Sequence, residues 1–295
     1  MTNLLLALQV VALTHATVID VADGSASKGL TIVLRDRRIE RVGPPATTPV
    51  PADARTIDLA GRFVIPGMWD MHVHNDVPGG RALLPLYVAW GVTGVRDMDG
   101  SLANLRRWQR EIISGTLTGP RMVVSGPYLV GARVPLPHIL VRAPAEAAPA
   151  VDSLVRLGVD FIKVHNALPA DAYVAIAHEA RRRRLLFAGH VFPPVTPLQA
   201  SDSGQRSEEH LSGFPNECTA EDSTAVASAL PLQRFLLGGV AAGKVADLVV
   251  LDADPLADIR NTRRIFLVVA NGRVYDAEAR AALIAGVKRA AQGSR

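Results

Sequence analysis

From residue 62 to residue 211, short apolar segments of strand character alternate with segments of helical periodicity. Most of these strands close on a charged or metal-competent side chain. The apolar segments are RFVIPGMWDMHVHND, GVTGVRDM, RMVVSGP, VDFIKVHN, LLFAGHV and QRSEEHLSG, ending at or near His74, Asp97, Ser125, Lys163, His190 and His210. Helical patterns fill the intervals at 82–90, 102–114, 145–157 and 170–184. Regular alternation of this kind calls for parallel strands joined by crossover helices. If such a sheet closes on itself, its strand ends converge on one mouth. The expected class is α/β, with a (β/α) TIM-type barrel of six strands, two short of closure in the usual eight-stranded form.

On either side of this stretch the pattern turns to β. The segments VVALTHATVIDVADGS, LTIVLRDRRIERVG and ARTIDLAG precede it, and GGVAAGKVADLVVLDADPLADI and RRIFLVVANGRVYDAEA follow it, before a helical tail. Gly and Pro sit at the breaks, as turns require. We expect a small β-sandwich domain composed of residues 1–61 and 238–295, and a barrel domain at 62–237.

With 295 residues and 48% hydrophobic content, the chain is long enough to bury a large core. Its net charge of +4 is spread along the sequence. The run Arg181 to Arg184 reads as the solvated C-terminal end of a helix, where cations suit the dipole. No nucleic-acid partner is expected. Cys218 is the only cysteine, which excludes a disulfide-stapled scaffold. The N-terminal apolar run lacks a positively charged leader and merges into a strand pattern, so it reads as structure and the protein as cytoplasmic. The alternative is an exported protein keeping a signal remnant. No apolar run approaches the roughly 20 residues of a membrane span.

The chemistry begins with His72 and His74 in WDMHVHND, where Asp70 and Asp76 also lie. Residues i and i+2 of a strand point the same way, so the two imidazoles can grip one metal ion. Lys163 is the second signal. Only four of the 32 basic residues are lysines, yet one of them interrupts the apolar strand VDFIKVHN. A buried ammonium is costly unless paired. Lysine, unlike arginine, can deprotonate and add carbon dioxide to become an anionic carbamate ligand; an ion pair or a solvent-reaching amine would also fit this position. His190 and His210 end two later strands, and His165 lies two residues past Lys163, placed for substrate contact. Taken singly, each histidine would equally suit an ordinary core or surface role. His15 in the β region, His138 in a Pro-rich loop and His178 on a helix carry no such signal.

These motifs, with VIPGMWDMHVH, GVTGVRDM, DFIKVHNAL, FAGHV, EHL and GGVAAGKVADLVVLDADPL, make the chain similar to the amidohydrolase superfamily, and within it to its imidazolonepropionase-like and prolidase-like members. The resemblance implies hydrolysis of amide, cyclic amide or dipeptide-like C–N bonds in a small-molecule substrate at a centre of two divalent ions, zinc by preference. It implies that His72 and His74 bind one ion, that His190 and His210 bind the other, and that carboxylated Lys163 bridges them in the catalytic set. It also implies a late aspartate that accepts the proton of the attacking water. No matching text occurs between Gly213 and Gly238, where only Glu217, Glu221 and Asp222 offer carboxylates, while Asp247 and Asp252 read as structural. Two missing strand–helix units would need about 60 residues. Three readings therefore stand: a hydrolase, a metal-binding remnant without turnover, and a scaffold that self-associates as a homo-oligomer through an open barrel edge.

Overall fold

A computed structural model describes residues 10–211 and 239–292. The two ends of the chain are hydrogen-bonded into one eight-stranded sheet. The N-terminal part supplies β1 (Val10–Ile19), β2 (Ala26–Arg35), β3 (Arg38–Gly43), β4 (Arg55–Asp58) and β5 (Phe63–Pro66). β1 is antiparallel to β2, and its two halves pair in parallel with β4 and then β5. The change of partner falls at a bulge where His15 takes a left-handed φ of 55° and its Nδ1 lies 2.8 Å from Asp58. Residues Val11, Leu13, Ile32, Leu34, Val64, Leu248, Val250 and Leu267 are buried in one cluster, and Ile19, Ile65, Val249 and Leu251 of the same sheet in another.

Six parallel or near-parallel segments follow: β6 (Met68–Val73), β7 (Val92–Asp97), β8 (Arg121–Val124), β9 (Tyr128–Val130), β10 (His138–Leu140) and β11 (Ile162–Val164). β12 (Phe187–Gly189) comes next, with an isolated parallel bridge from Gly189 to Glu208. The C-terminal part then returns to the large sheet with β13 (Leu248–Leu251), β14 (Ile265–Ala270) and β15 (Arg273–Tyr275). There β13 lies antiparallel to β5, Leu248 opposite Pro66.

The parallel strands form two sheets, β6-β7-β8 and β10-β9-β11-β12. They are linked where the Asp160 N–H donates to the Val124 carbonyl at 2.9 Å and the Val124 N–H to the Asp160 carboxylate at 2.8 Å. Outside the strands pack α1 (Gly80–Ala89), α2 (Leu102–Ser114), α3 (Ala147–Leu157), α4 (Ala170–Arg182) and α5 (Pro197–Asp202). The amphipathic spacing of α2 explains its orientation: Leu102, Leu105, Trp108 and Ile112 are its buried residues, at intervals of three and four. α2 stops at Gly115, whose left-handed φ of 83° suits a residue without Cβ. α6 (Ala277–Gln292) runs along the outside, where Leu283 meets Val88 of α1 and Val268 of β14.

Two local expectations change. His138 is in β10, paired with Tyr128 of β9, where a loop was expected. Pro127, Pro135 and Pro137 hide this pair because they break the alternation that normally announces a strand. The segment QRSEEHLSG contributes a single bridge at Glu208 rather than a strand, and His210 and Leu211 then take left-handed φ values of 70° and 55°.

Candidate metal centre at the strand ends

The five residues expected to meet do meet, with His165 beside them. His72 lies in β6 and His74 one residue past its end; their Nε2 atoms are 3.2 Å apart. The ring of His210 is 4.6 Å from that of His72 and 5.0 Å from that of His190. His165 stacks on Tyr128 with centroids 4.6 Å apart, and its ring is 4.2 Å from that of His190. Below this ring of imidazoles, Lys163 of β11 is fully buried, its Nζ without a hydrogen-bond partner and 5.9 Å from the centroid of Tyr128.

Backbone pairing explains the placement. Lys163 lies opposite Ala188 in parallel β11 and β12, and the His190 N–H donates to the Val164 carbonyl at 3.1 Å. Gly189 makes this close approach feasible. Its φ is 143°, and a Cβ there would stand 2.0 Å from the Val164 carbonyl oxygen. The Asn166 Oδ1 lies 2.9 Å from His190 Nδ1, which fixes that ring.

The residue that local patterning did not single out is Glu209. It is buried at 5% exposure and receives three contacts: His72 Nδ1 to Oε2 at 2.6 Å, Arg96 Nη2 to Oε1 at 2.7 Å and Ser207 Oγ to Oε1 at 2.6 Å. Arg96 also donates to the Met71 carbonyl at 2.7 Å and to Ser207 at 2.8 Å. Side chains thus tie residues 207–209 to β6 and β7. Burial works to raise the Glu209 carboxyl, but Arg96, Ser207 and His72 hold it below the ordinary range.

The imidazoles of His72, His74, His165 and His190 are kept neutral. Burial, reinforced by neighbouring positive charge, lowers His74 and His165 to about 4 and His190 to about 3. Burial lowers His72 too, against the opposing pull of Glu209. Burial brings Lys163 down to about 8, which makes the free amine accessible near neutrality. Neutral imidazole is the ligating form, and an amine is the form that adds carbon dioxide.

These features fit a divalent ion in donor type, protonation state and pair spacing. Two nitrogens bound at about 2.0–2.1 Å to one tetrahedral ion stand roughly 3.3 Å apart, close to the 3.2 Å between His72 and His74. The Glu209 contact leaves His72 Nε2 facing the mouth, the carboxylate–histidine arrangement common behind metal ligands. Among the described residues, no group of three or more His, Cys, Asp or Glu side chains is arranged to hold a metal ion as it stands. Glu217, Glu221 and Asp222, like Cys218, lie outside the described residues.

Other carboxylates have defined work. Asp70 accepts the His72 N–H at 3.1 Å, and Asp76 accepts the Ser101 N–H at 2.7 Å and the Asn104 amide at 3.0 Å at the start of α2. Asp247 pairs with Arg121 at 3.1 Å and accepts the Asn271 N–H at 2.7 Å, and Asp252 pairs with Arg62 at 3.1 Å. Asp99 is buried 3.9 Å from His74 Nδ1, and burial raises its carboxyl although Tyr128 counters this. Asp97 at the end of β7 accepts both N–H groups of Asn75, at 3.2 and 2.8 Å; burial nevertheless raises it to about 7. Charged Arg96 and Asp97 closing an apolar strand were the sequence signal for this inner layer.

No protein-family model matches the chain. It is 26% identical over 251 residues to an imidazolonepropionase of Methylobacterium sp., an alignment that covers 83% of this chain and 60% of that protein. It is 41% identical over 69 residues to a dihydroorotase of Syntrophotalea carbinolica, which covers 23% of this chain and 15% of the relative. The chain thus spans less than two thirds of the length of these curated relatives. The crystal structure of phenylurea hydrolase B superposes with a TM-score of 0.72 at 18% identity, covering 94% of this chain and 98% of that one. Sequence likeness along most of the chain and a shared fold agree with the strand-end motifs in making this chain similar to members of the amidohydrolase superfamily.

Proposed function

We propose that the protein hydrolyses C–N bonds of small amides, cyclic amides or dipeptide-like molecules at the mouth formed by His72, His74, Lys163, His190 and His210. The observation that carries this reading is the convergence of four imidazoles on one buried, unpartnered amine. The names of the relatives, an imidazolonepropionase, a dihydroorotase and a phenylurea hydrolase, support the same class of reaction.

His72 and His74 would hold one divalent ion, zinc being the expected species, and His190 and His210 a second, with Lys163 as carbamate between them. Bound there, such an ion acidifies a water and polarises a carbonyl. The chain's own residues do the rest. Glu209 orients His72 and offsets the charge of Arg96. Asn166 fixes His190. His165, stacked on Tyr128 at the edge of the mouth, contacts substrate.

The test joins metal analysis to a hydrolysis screen on cyclic amides, N-acyl amino acids and dipeptides. Bound metal with chelator-sensitive turnover supports the reading. Metal without turnover would mark a binding remnant, and unchanged metal content in His72→Ala and Lys163→Ala would defeat both.

A further inference from the structure

At the opposite end of the β6-β7-β8 sheet from the imidazoles, a cavity of about 440 Å³ opens between the large sheet and α2. Its walls come from the β2–β3 turn, α2, the start of β8 and residues 245–247. Arginines dominate them: Arg37, Arg38, Arg106, Arg110 and Arg121 all line the space, with Asp247 as the one carboxylate.

Two of these cations are already offset. Arg121 pairs with Asp247 at 3.1 Å, and Arg106 with Asp160 at 3.1 Å. Arg38 donates only to a neutral group, the Gly243 carbonyl, at 2.7 Å. The side chains of Arg37 and Arg110 have no hydrogen-bond or ion-pair partner among the described residues. Three solvent-exposed positive charges thus line one cavity without a carboxylate partner, an arrangement that attracts a multivalent anion. Guanidinium forks match phosphate oxygens in pairs. Ile112, Met122 and Val245 add an apolar lining. A single carboxylate would leave two of the three charges unmatched, whereas a diphosphate ester carries two to three negative charges beside an organic body.

We propose that this cleft binds a small organic diphosphate, with Arg37, Arg38 and Arg110 on the phosphates and the organic group against Ile112, Met122 and Val245. The volume suits such a ligand, since small-molecule sites run to about 300–1,000 Å³. The site is separate from the imidazole cluster and does not depend on the hydrolase reading.

The test uses the full chain with ADP as probe, by calorimetry in 0.15 M salt with a chelator present. The expected result is saturable binding with Kd below about 1 mM, displaced by inorganic pyrophosphate. The double variant Arg37→Glu/Arg110→Glu should weaken it by about tenfold or more, since hydrogen bonds between charged groups are the strong ones. The pair Arg156→Glu/Arg263→Glu, exposed elsewhere with the same change in net charge, should leave it unaltered. His72→Ala/His74→Ala should also retain binding. Should the charge reversal fail to fold, Arg37→Gln/Arg110→Gln replaces it. The proposal is overturned by any of four results: no saturation below about 5 mM, equal weakening by the control pair, loss in the histidine variant, or displacement by adenosine and not by pyrophosphate.

Discussion

His72 and Glu209 are 137 residues apart in sequence, and His72 Nδ1 stands 2.6 Å from Glu209 Oε2. The contact joins β6 to the segment after β12, and through Arg96 it reaches β7. One buried carboxylate therefore both orients an imidazole and neutralises a guanidinium that is itself only 5% exposed.

Replacing Glu209 separates these roles. Glu209→Ala strands Arg96 in the interior, and breaking a buried pair in this way costs about 3–5 kcal/mol; a denaturant titration of the metal-free protein checks this. Glu209→Gln keeps the shape, and its one amide oxygen can still accept from Arg96 while its NH2 group replaces the oxygen that faces His72 Nδ1, so its stability loss is smaller. Its zinc affinity should nonetheless fall by roughly 10–100-fold, the usual effect of losing a carboxylate behind a ligating histidine. Zinc affinity equal to that of the parent in Glu209→Gln would sink the orienting role.

Lys163 makes the opposite forecast for stability. Its Nζ is buried without a hydrogen-bond partner, and an unsatisfied buried polar group costs about 1–3 kcal/mol. Lys163→Met, apolar and similar in length, should raise the stability of the metal-free protein by an amount of that order while lowering its bound zinc. A functional lysine kept at a cost to the fold predicts that pairing of effects. A variant that loses stability without losing metal would instead mark Lys163 as a packing residue.

What was legible in the sequence was local. Strand ends at His74, Asp97, Lys163 and His190 follow from apolar runs closed by polar side chains, and α2 emerges at residues 102–114 because its apolar spacing is regular. The strands β9 and β10 escaped because three prolines flank them, and the large sheet depends on pairing between the two chain ends. Glu209 stood in plain view beside His210. Its importance comes from Arg96 and His72, 113 and 137 residues away, and no periodicity encodes such a reach across the mouth.

Gly189 is the backbone position on which the site most depends. A methyl group there meets the Val164 carbonyl oxygen at 2.0 Å and must also tolerate a φ of 143°. Strain of this kind costs about 1–3 kcal/mol, and overpacking about as much again. Gly189→Ala should therefore lower the melting temperature and loosen β12 from β11. Because His190 follows directly, metal content should fall with it, whereas Gly204→Ala, strained by a φ of 87° but meeting only an arginine tip at 3.8 Å, should spare the metal.

Asp97 gives the fold a pH signature. Burial raises its carboxyl to about 7, well above the roughly 3.9 of an unfolded chain. The native state therefore holds a proton that the unfolded state has released between about pH 4 and pH 7. Stability rises with pH only where the unfolded state binds more protons, so the Asp97 contribution is fully present below about pH 4 and is lost as pH rises through 7. Its total is on the order of 4 kcal/mol at most, from three units at about 1.4 kcal/mol each. The neutral imidazoles of His74, His165 and His190 act the other way over part of this range, favouring the native state as pH rises toward 6.5. The parent's own profile mixes both slopes, so the informative quantity is the difference between parent and Asp97→Asn, measured by urea unfolding in chelator from pH 4 to pH 8. The variant should gain on the parent steadily from pH 4 to 7 and hold that gain above it. A difference that stays flat across the range would show that Asp97 ionises in the native protein as freely as in the unfolded chain.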